Sequence, residues 1–86
     1  MPREVVFLSG VRTAIGTFGG SLKDTAPTAM GAAVITEALN RAETAPEEVG
    51  HVVLGNVIHT EPRDMYLSRV AMIDAGLPVE TPALTC

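Results

Sequence analysis

Continuous apolar runs alternate along this chain with segments in which apolar residues recur at helical spacings of three and four. Residues 5–8 (Val-Val-Phe-Leu) lack polar alternation, which predicts a strand covered on both faces. A glycine-bearing loop is expected from residue 10 to about residue 24, with Phe18 and Leu22 packing it down. The first third of the chain is therefore predicted to be a strand followed by a long irregular connection.

The most regular pattern predicts an amphipathic helix from Thr25 to about Glu43. Thr25 is the expected N-cap and Pro27 lies in the first turn. The apolar positions recur at spacings of three and four: Met30, Val34, Ile35, Ala38, Leu39 and Ala42. Small residues at positions 31–33 allow another helix or a strand to approach this helix closely.

A short turn and a second strand are predicted next. Thr44 and Glu47 have the spacing of a capping box, and Gly50 ends the turn that it opens. Residues 51–58 form an apolar run in which Gly55 indicates a bulge or a close backbone approach. Asn56 in this run is either a satisfied structural amide or a hydrogen-bond donor that faces a site.

The last third of the chain predicts a second helix and a third strand. The helix is expected over residues 64–75, with Gly76 as the residue that ends it. Arg69 lies mid-helix among apolar neighbours and is a candidate for a buried or interfacial ion pair. Arg63 and Asp64 are either its companions in the preceding loop or solvated charges. Residues 83–85 begin a strand, so the order of elements indicates an α/β layer. Three strands and two helices do not close a doubly covered sheet, which predicts an incomplete domain over residues 1–86.

Charge and composition narrow the class of protein. The net charge is −4 and the six Lys and Arg residues are scattered singly, which argues against a nucleic-acid binder. No apolar run approaches membrane-spanning length and no signal peptide is apparent, so no membrane partner is expected. One cysteine excludes an internal disulfide and fits a reducing, cytoplasmic compartment.

Candidate chemistry is sparse before the last residue. The glycines of residues 16–20 match neither a P-loop nor a dinucleotide-binding spacing. His51 and His59 flank a strand and are interpreted as surface residues, with no other ligands at metal-binding spacing. Cys86 follows an apolar strand, which is a common place for a nucleophile, but a nucleophile also needs a base and an anion-stabilising site.

Four motifs together resemble the N-terminal part of the thiolases, more narrowly the bacterial β-ketothiolases (acetyl-CoA acyltransferases). They are Arg-Thr-x-x-Gly-x-Phe-Gly-Gly at 12–20, Gly-Asn-Val at 55–57, Glu-Pro-Arg-Asp-Met-Tyr at 61–66 and Pro-Ala-Leu-Thr at 82–85. The resemblance runs over essentially the whole chain. It implies the βαβαβ portion of the N-terminal half of a layered αβαβα fold.

The resemblance also implies a function for the complete protein. Thiolases catalyse thioester Claisen condensation or thiolytic cleavage of β-ketoacyl-CoA in fatty acid metabolism, through an acylated cysteine, as homodimers or homotetramers. Acyl-CoA and coenzyme A are then substrates, and this segment alone is expected to bind no cofactor and to be inactive. The alternative is a truncated, non-catalytic module that associates with a partner through uncovered apolar faces.

The resemblance makes Cys86 the candidate catalytic residue, with one departure from the family pattern. In relatives about four residues, typically Val-Asn-Arg-Leu, separate the threonine of the strand from the nucleophile, whereas Cys86 follows Thr85 directly. A strict alignment places Cys86 opposite a non-catalytic position, while a short deletion makes it the nucleophile. Both interpretations stay open at the level of sequence.

Overall fold

The structure is a computed structural model, and it describes residues 3–86. One helix packs on one face of a two-stranded parallel sheet, and a longer helix packs mainly against the first. The helices are α1 (Pro27–Ala42) and α2 (Leu67–Asp74), the strands are β1 (Val52–Leu54) and β2 (Ala83–Thr85), and 3₁₀ turns occupy Pro46–Glu48 and Pro62–Tyr66.

The sheet has one covered face and one open face. β1 and β2 pair in the register Val52 with Ala83, Val53 with Leu84 and Leu54 with Thr85. Successive side chains of a strand point to opposite faces, and the middle pair points away from the helices. Val53 is accordingly 56% exposed and Leu84 52% exposed, while Val52 is buried.

The core lies between the sheet and the two helices. Val52, Met72 and Leu77 are buried together, and Ile35 and Leu39 of α1 pack against them. The predicted close approach at the small residues of α1 is confirmed at Gly31. A Cβ atom built on Gly31 would lie 3.0 Å from the Cβ of Ala71 in α2.

The prediction of Thr25 as the N-cap of the first helix is wrong by one residue. Ala26 is the N-cap, with an extended backbone (φ −64°, ψ 141°), and Pro27 is the first helical residue. Proline at this position needs no hydrogen-bond acceptor and restricts the preceding residue to extended conformations, so it fixes the start of the helix. The helix ends at Ala42, and the C-cap residue Glu43 has a left-handed backbone with φ of 52°.

The predicted strand at residues 5–8 does not form. Among the described residues, β1 pairs only with β2, and no segment offers residues 5–8 a hydrogen-bonding partner. All four side chains are exposed, and Phe7 is 101% exposed. Phe18, expected to hold the following loop, is also fully exposed at 108%, whereas Leu22 is half-buried and contacts Gly16. The irregular loop itself is confirmed.

The other elements are shorter than predicted or shifted. β1 is three residues long rather than eight, because β2 offers only three residues for pairing. The capping box predicted at Thr44 and Glu47 does not form; the Glu48 carboxylate accepts the Ala45 N–H at 3.3 Å instead, and Ala45 has no side-chain acceptor. The second helix begins as a 3₁₀ turn, and Gly76 ends it with φ of 90°, as predicted.

Candidate functional site at the carboxyl end of the sheet

Cys86 lies one residue beyond β2, and its backbone is fixed on both sides. Its N–H donates to the Leu54 carbonyl at 3.0 Å, and its carbonyl accepts the Asn56 N–H at 2.6 Å. The side chain is an exposed free thiol whose Sγ is 3.8 Å from the Leu54 oxygen. The main chain is therefore held in the ladder while the thiol is open to solvent.

A pair of hydroxyl groups lies directly beside this position. The Ser68 N–H donates to Oγ1 of Thr85 at 2.9 Å, and the two hydroxyl oxygens are 2.7 Å apart. Ser68 is only 2% exposed. Ser68 is not among the residues predicted from the sequence, where its signal is only that of a small polar residue near a helix start.

Asn56 connects β1 to the segment before α2. Its side-chain amide donates to the Asp64 carbonyl at 3.1 Å and lies 2.8 Å from Nδ1 of His59. Both partners belong to this chain, which supports the interpretation of Asn56 as a satisfied structural amide.

Asp64, predicted to start the second helix and to be either a companion of Arg69 or a solvated charge, is a buried carboxylate. Its Oδ2 accepts hydrogen bonds from the Thr60 hydroxyl at 2.7 Å, the Thr60 N–H at 2.8 Å and the Glu61 N–H at 3.2 Å. Its Oδ1 is buried without a partner. The pKa of Asp64 lies below its usual value, mainly because the Thr60 hydroxyl and N–H stabilise the charged form; burial opposes them.

The prediction of an ion pair at Arg69 is wrong. The Arg69 guanidinium donates to the carbonyl of Thr81 at 3.0 Å and to that of Val79. The chain turns between α2 and β2, and carbonyls in such a turn lack partners in a helix or sheet, so a long cationic side chain satisfies them. Arg63 instead pairs with Asp74 at 3.3 Å.

The two histidines are surface residues of this part of the chain. His51 and His59 are both exposed, as predicted, and the thiol of Cys86 is bonded to neither. Within residues 3–86 no three His, Cys, Asp or Glu side chains come close enough to hold a metal ion. The same part of the chain contains no helix with the length and apolar character needed to cross a bilayer.

The glycine-bearing loop lines a depression that does not include Cys86. This open depression has a volume of about 680 Å³ and is bordered by residues 10–14 and Arg41. Both guanidinium groups there are already engaged: Arg12 donates to the Thr13 carbonyl at 2.9 Å, and Arg41 pairs with Glu37 at 2.7 Å. The loop thus offers no assembled phosphate cradle in this conformation.

The reactive group at the carboxyl end of the sheet is the thiol of Cys86, whose backbone is fixed by hydrogen bonds. Among the described residues, no imidazole, carboxylate or amine hydrogen-bonds to this thiol. A thiol acts as a nucleophile in its thiolate form, which needs a base. The thiol of Cys86 therefore needs a base from residues outside this site before it can act as a nucleophile and accept an acyl group.

Comparison with known proteins assigns a family to this arrangement. The profile described as "Thiolase, N-terminal domain" matches residues 5–86. The beta-ketothiolase BktB of Cupriavidus necator is 66% identical over 85 residues, which are 99% of this chain and 22% of that protein. An acetyl-CoA acetyltransferase of Syntrophomonas wolfei is 41% identical over 99% of this chain and 21% of its own length. The chain thus spans about a fifth of the length of these relatives.

A solved structure shows the same fold. Human mitochondrial 3-ketoacyl-CoA thiolase, crystallised in complex with CoA, matches with a TM-score of 0.79 and 38% identity. The match covers 83% of this chain and 18% of the human chain. The predicted fold class, a partial α/β fold of the thiolase type, is confirmed by this match.

Proposed function

The chain belongs to the thiolase family, and we propose that the complete polypeptide is a β-ketothiolase of which residues 1–86 are an incomplete N-terminal domain. The observation that carries this proposal is the 66% identity to a beta-ketothiolase over nearly the whole chain. Acyl-CoA and coenzyme A are the proposed substrates, and no other cofactor is invoked. The human relative's complex with CoA supports this choice of substrates.

The proposed reaction transfers an acyl group through a cysteine. In the cleavage direction, the thiolate attacks the β-keto carbon, the bond between the α and β carbons breaks, and the acetyl-CoA carbanion that leaves takes up a proton. The thiolate of free coenzyme A then attacks the acyl-enzyme thioester, and the enzyme thiolate is released with a new acyl-CoA. Claisen condensation runs the same steps in reverse. We expect a histidine and a second cysteine elsewhere in the polypeptide to move these protons, since His51 and His59 do not contact the thiol.

Cys86 as the acylated nucleophile stays a prediction. Its support is the exposed thiol at the carboxyl end of β2 and the fixed backbone on either side. Its direct succession to Thr85, where relatives have about four intervening residues, favours the alternative in which Cys86 has no catalytic role.

Thiolysis by the complete polypeptide tests the function and the nucleophile separately. We expect the complete protein to cleave acetoacetyl-CoA in the presence of coenzyme A, followed as loss of the acetoacetyl-CoA absorbance. Cys86→Ser should lower kcat by at least about a thousandfold if Cys86 is the nucleophile. His51→Asn, at an exposed position, is the matched control and should leave turnover unchanged.

Two results would contradict these proposals in different ways. A complete protein without thiolysis would reject the enzymatic function. A Cys86→Ser protein that retains turnover would reject only the role of Cys86. The 86-residue chain alone is expected to show no turnover, and thiolysis by that chain would contradict the expectation.

We further propose that the complete enzyme is a cytoplasmic homodimer or homotetramer acting in fatty acid metabolism. One related acetyl-CoA acetyltransferase of Mus musculus is named as cytosolic. Sedimentation of the complete protein would test the oligomeric state, and a monomer at all concentrations would exclude it.

The second candidate is a non-catalytic module that associates through its uncovered apolar faces. The observation that favours it is the open side of the sheet, where Val53 and Leu84 are more than half exposed. This candidate requires that the 86 residues alone form a stable folded species. Circular dichroism with sedimentation would exclude it if the isolated chain were unfolded or aggregated.

A further inference from the structure

The hydroxyl pair of Ser68 and Thr85 joins the start of α2 to the end of β2. Ser68 is the second residue of α2, and the first four N–H groups of a helix have no acceptor within it. The N-cap residue Tyr66 makes no side-chain capping bond. Oγ1 of Thr85, 17 positions further along the chain, accepts the Ser68 N–H instead.

The buried hydroxyl of Ser68 adds a second hydrogen bond between α2 and Thr85. Its oxygen lies 2.7 Å from Oγ1 of Thr85, so one of the two hydroxyls donates to the other. Ser68 is nearly inaccessible to solvent, and a buried hydroxyl without a partner is costly. Thr85 is thus held by its side chain as well as by its pairing with Leu54.

The next residue of α2 holds the other end of the same segment. Arg69 binds the carbonyls of Val79 and Thr81, ahead of β2, while Ser68 binds Thr85 at the end of β2. Two consecutive helical residues therefore fix the stretch that leads to Cys86 at its start and at its end.

We propose that Ser68 is a positioning residue, which through Thr85 sets the path of the main chain at Cys86. Ser68 itself does not touch the thiol. The catalytic meaning of this positioning rests on the proposed function, in which the chain leaving β2 carries or leads to the acylated thiol. The effect of Ser68 on the main chain at Cys86 can be measured independently of catalytic turnover.

The test uses Ser68→Ala in the complete protein, with hydrogen exchange of the Cys86 amide as the first readout. This amide donates to Leu54 and is expected to exchange about three- to tenfold faster when the hydroxyl bond is lost. The second readout is thiolysis, in which kcat is expected to fall by a similar factor, about three- to tenfold, at unchanged KM.

Two further variants separate positioning from loss of stability. Thr85→Ser is the conservative variant that keeps the hydroxyl, and its Cys86 amide should exchange within about twofold of the parent rate. Leu77→Val trims a buried core residue away from the hydroxyl pair, and it is expected to destabilise the fold without selective exchange at Cys86.

The proposal is overturned if Ser68→Ala leaves the Cys86 amide as protected as in the parent. It is also overturned if Leu77→Val, at equal loss of stability, accelerates the Cys86 amide as much as Ser68→Ala does. These outcomes do not depend on thiolysis. Failure of the proposed function is measured separately, as absence of thiolysis by the parent protein.

Discussion

At the scale of single residues, the buried carboxylate of Asp64 organises the turn between β1 and α2. Its Oδ2 accepts three hydrogen bonds from Thr60 and Glu61. The backbone carbonyl of Asp64 accepts a hydrogen bond from the side-chain amide of Asn56. Asn56 in turn donates its N–H to the carbonyl of Cys86. The carboxylate is therefore connected to the candidate site through two intervening hydrogen bonds.

The pKa of Asp64 predicts how stability changes with pH. Because the folded protein lowers this pKa from 3.8, chiefly through the Thr60 hydroxyl, the carboxylate stabilises the fold above pH 3.8. That contribution is lost as the pH falls through the lowered value of the folded state. Asp64→Asn should lower the urea midpoint at pH 7, and the difference from the parent should shrink at pH 2.

Asp74→Asn is the control for this prediction. Asp74 is an exposed carboxylate whose ion pair with Arg63 is open to solvent, so the substitution should change the midpoint little at either pH. A difference between Asp64→Asn and the parent that is the same at pH 7 and pH 2 would show that the charge of Asp64 does not stabilise the fold.

At the scale of elements, the contact between α1 and α2 depends on a missing side chain. Gly31 brings α1 so close to α2 that an added Cβ would lie 3.0 Å from the Cβ of Ala71 and 3.6 Å from Cδ1 of Leu54. Ala71 is completely buried, so it has no room to move. The glycine of this helix therefore serves packing, at the expense of helix propensity.

Gly31→Val is expected to push the two helices apart. Overpacking of this kind costs about 1–3 kcal/mol of unfolding free energy, measurable by urea denaturation. Ala33→Val, on the exposed side of the same helix, should cost less than about 0.7 kcal/mol, since only helix propensity changes. Equal losses for the two variants would contradict the close packing at Gly31.

At the scale of the whole molecule, the described chain is elongated. Its radius of gyration is 13.9 Å, and its principal extents are 49 × 24 × 24 Å. A compact chain of this length would have a radius of gyration of about 12 Å. The excess reflects the extended N-terminal segment, where residues 5–8 and Phe18 are exposed rather than packed.

This exposed apolar surface predicts association of the 86-residue chain when it is isolated. We expect sedimentation to show concentration-dependent oligomers and the dye ANS to bind. Replacing Phe7 and Phe18 together by Ser should raise the dissociation constant at least about a hundredfold, since burial of each ring contributes about 1.5–3 kcal/mol. Lys23→Ser, at an exposed polar position, is the control, and a monomer without ANS binding would contradict the prediction.

Sequence patterns predicted the elements that are stabilised by local or nearby contacts. α1 follows from its apolar stripe and from Pro27, and the end of α2 follows from Gly76, which needs a positive φ. β2 was predicted at residues 83–85 because apolar residues follow a proline there. The family motifs extended this to the fold class, which periodicity alone could not distinguish from other α/β layers.

The features that failed depend on contacts that a pattern cannot show. Residues 5–8 have the composition of a buried strand, but a strand also needs a free edge beside it. Arg69 looked like half of an ion pair because its neighbours are apolar, yet its partners are backbone carbonyls, which no side-chain pattern marks. Ser68 and Asp64 were missed for the same reason, since tertiary contacts decide their roles.

The parallel pairing of β1 with β2 also has a consequence for synthesis on the ribosome. Val52 pairs with Ala83, so the two partners are 31 positions apart. At about 5–20 residues per second, β1 waits about 2–6 s for its partner to be translated. During that interval the edge of β1 has no strand to pair with, so the sheet can form only after residues 83–85 have been made.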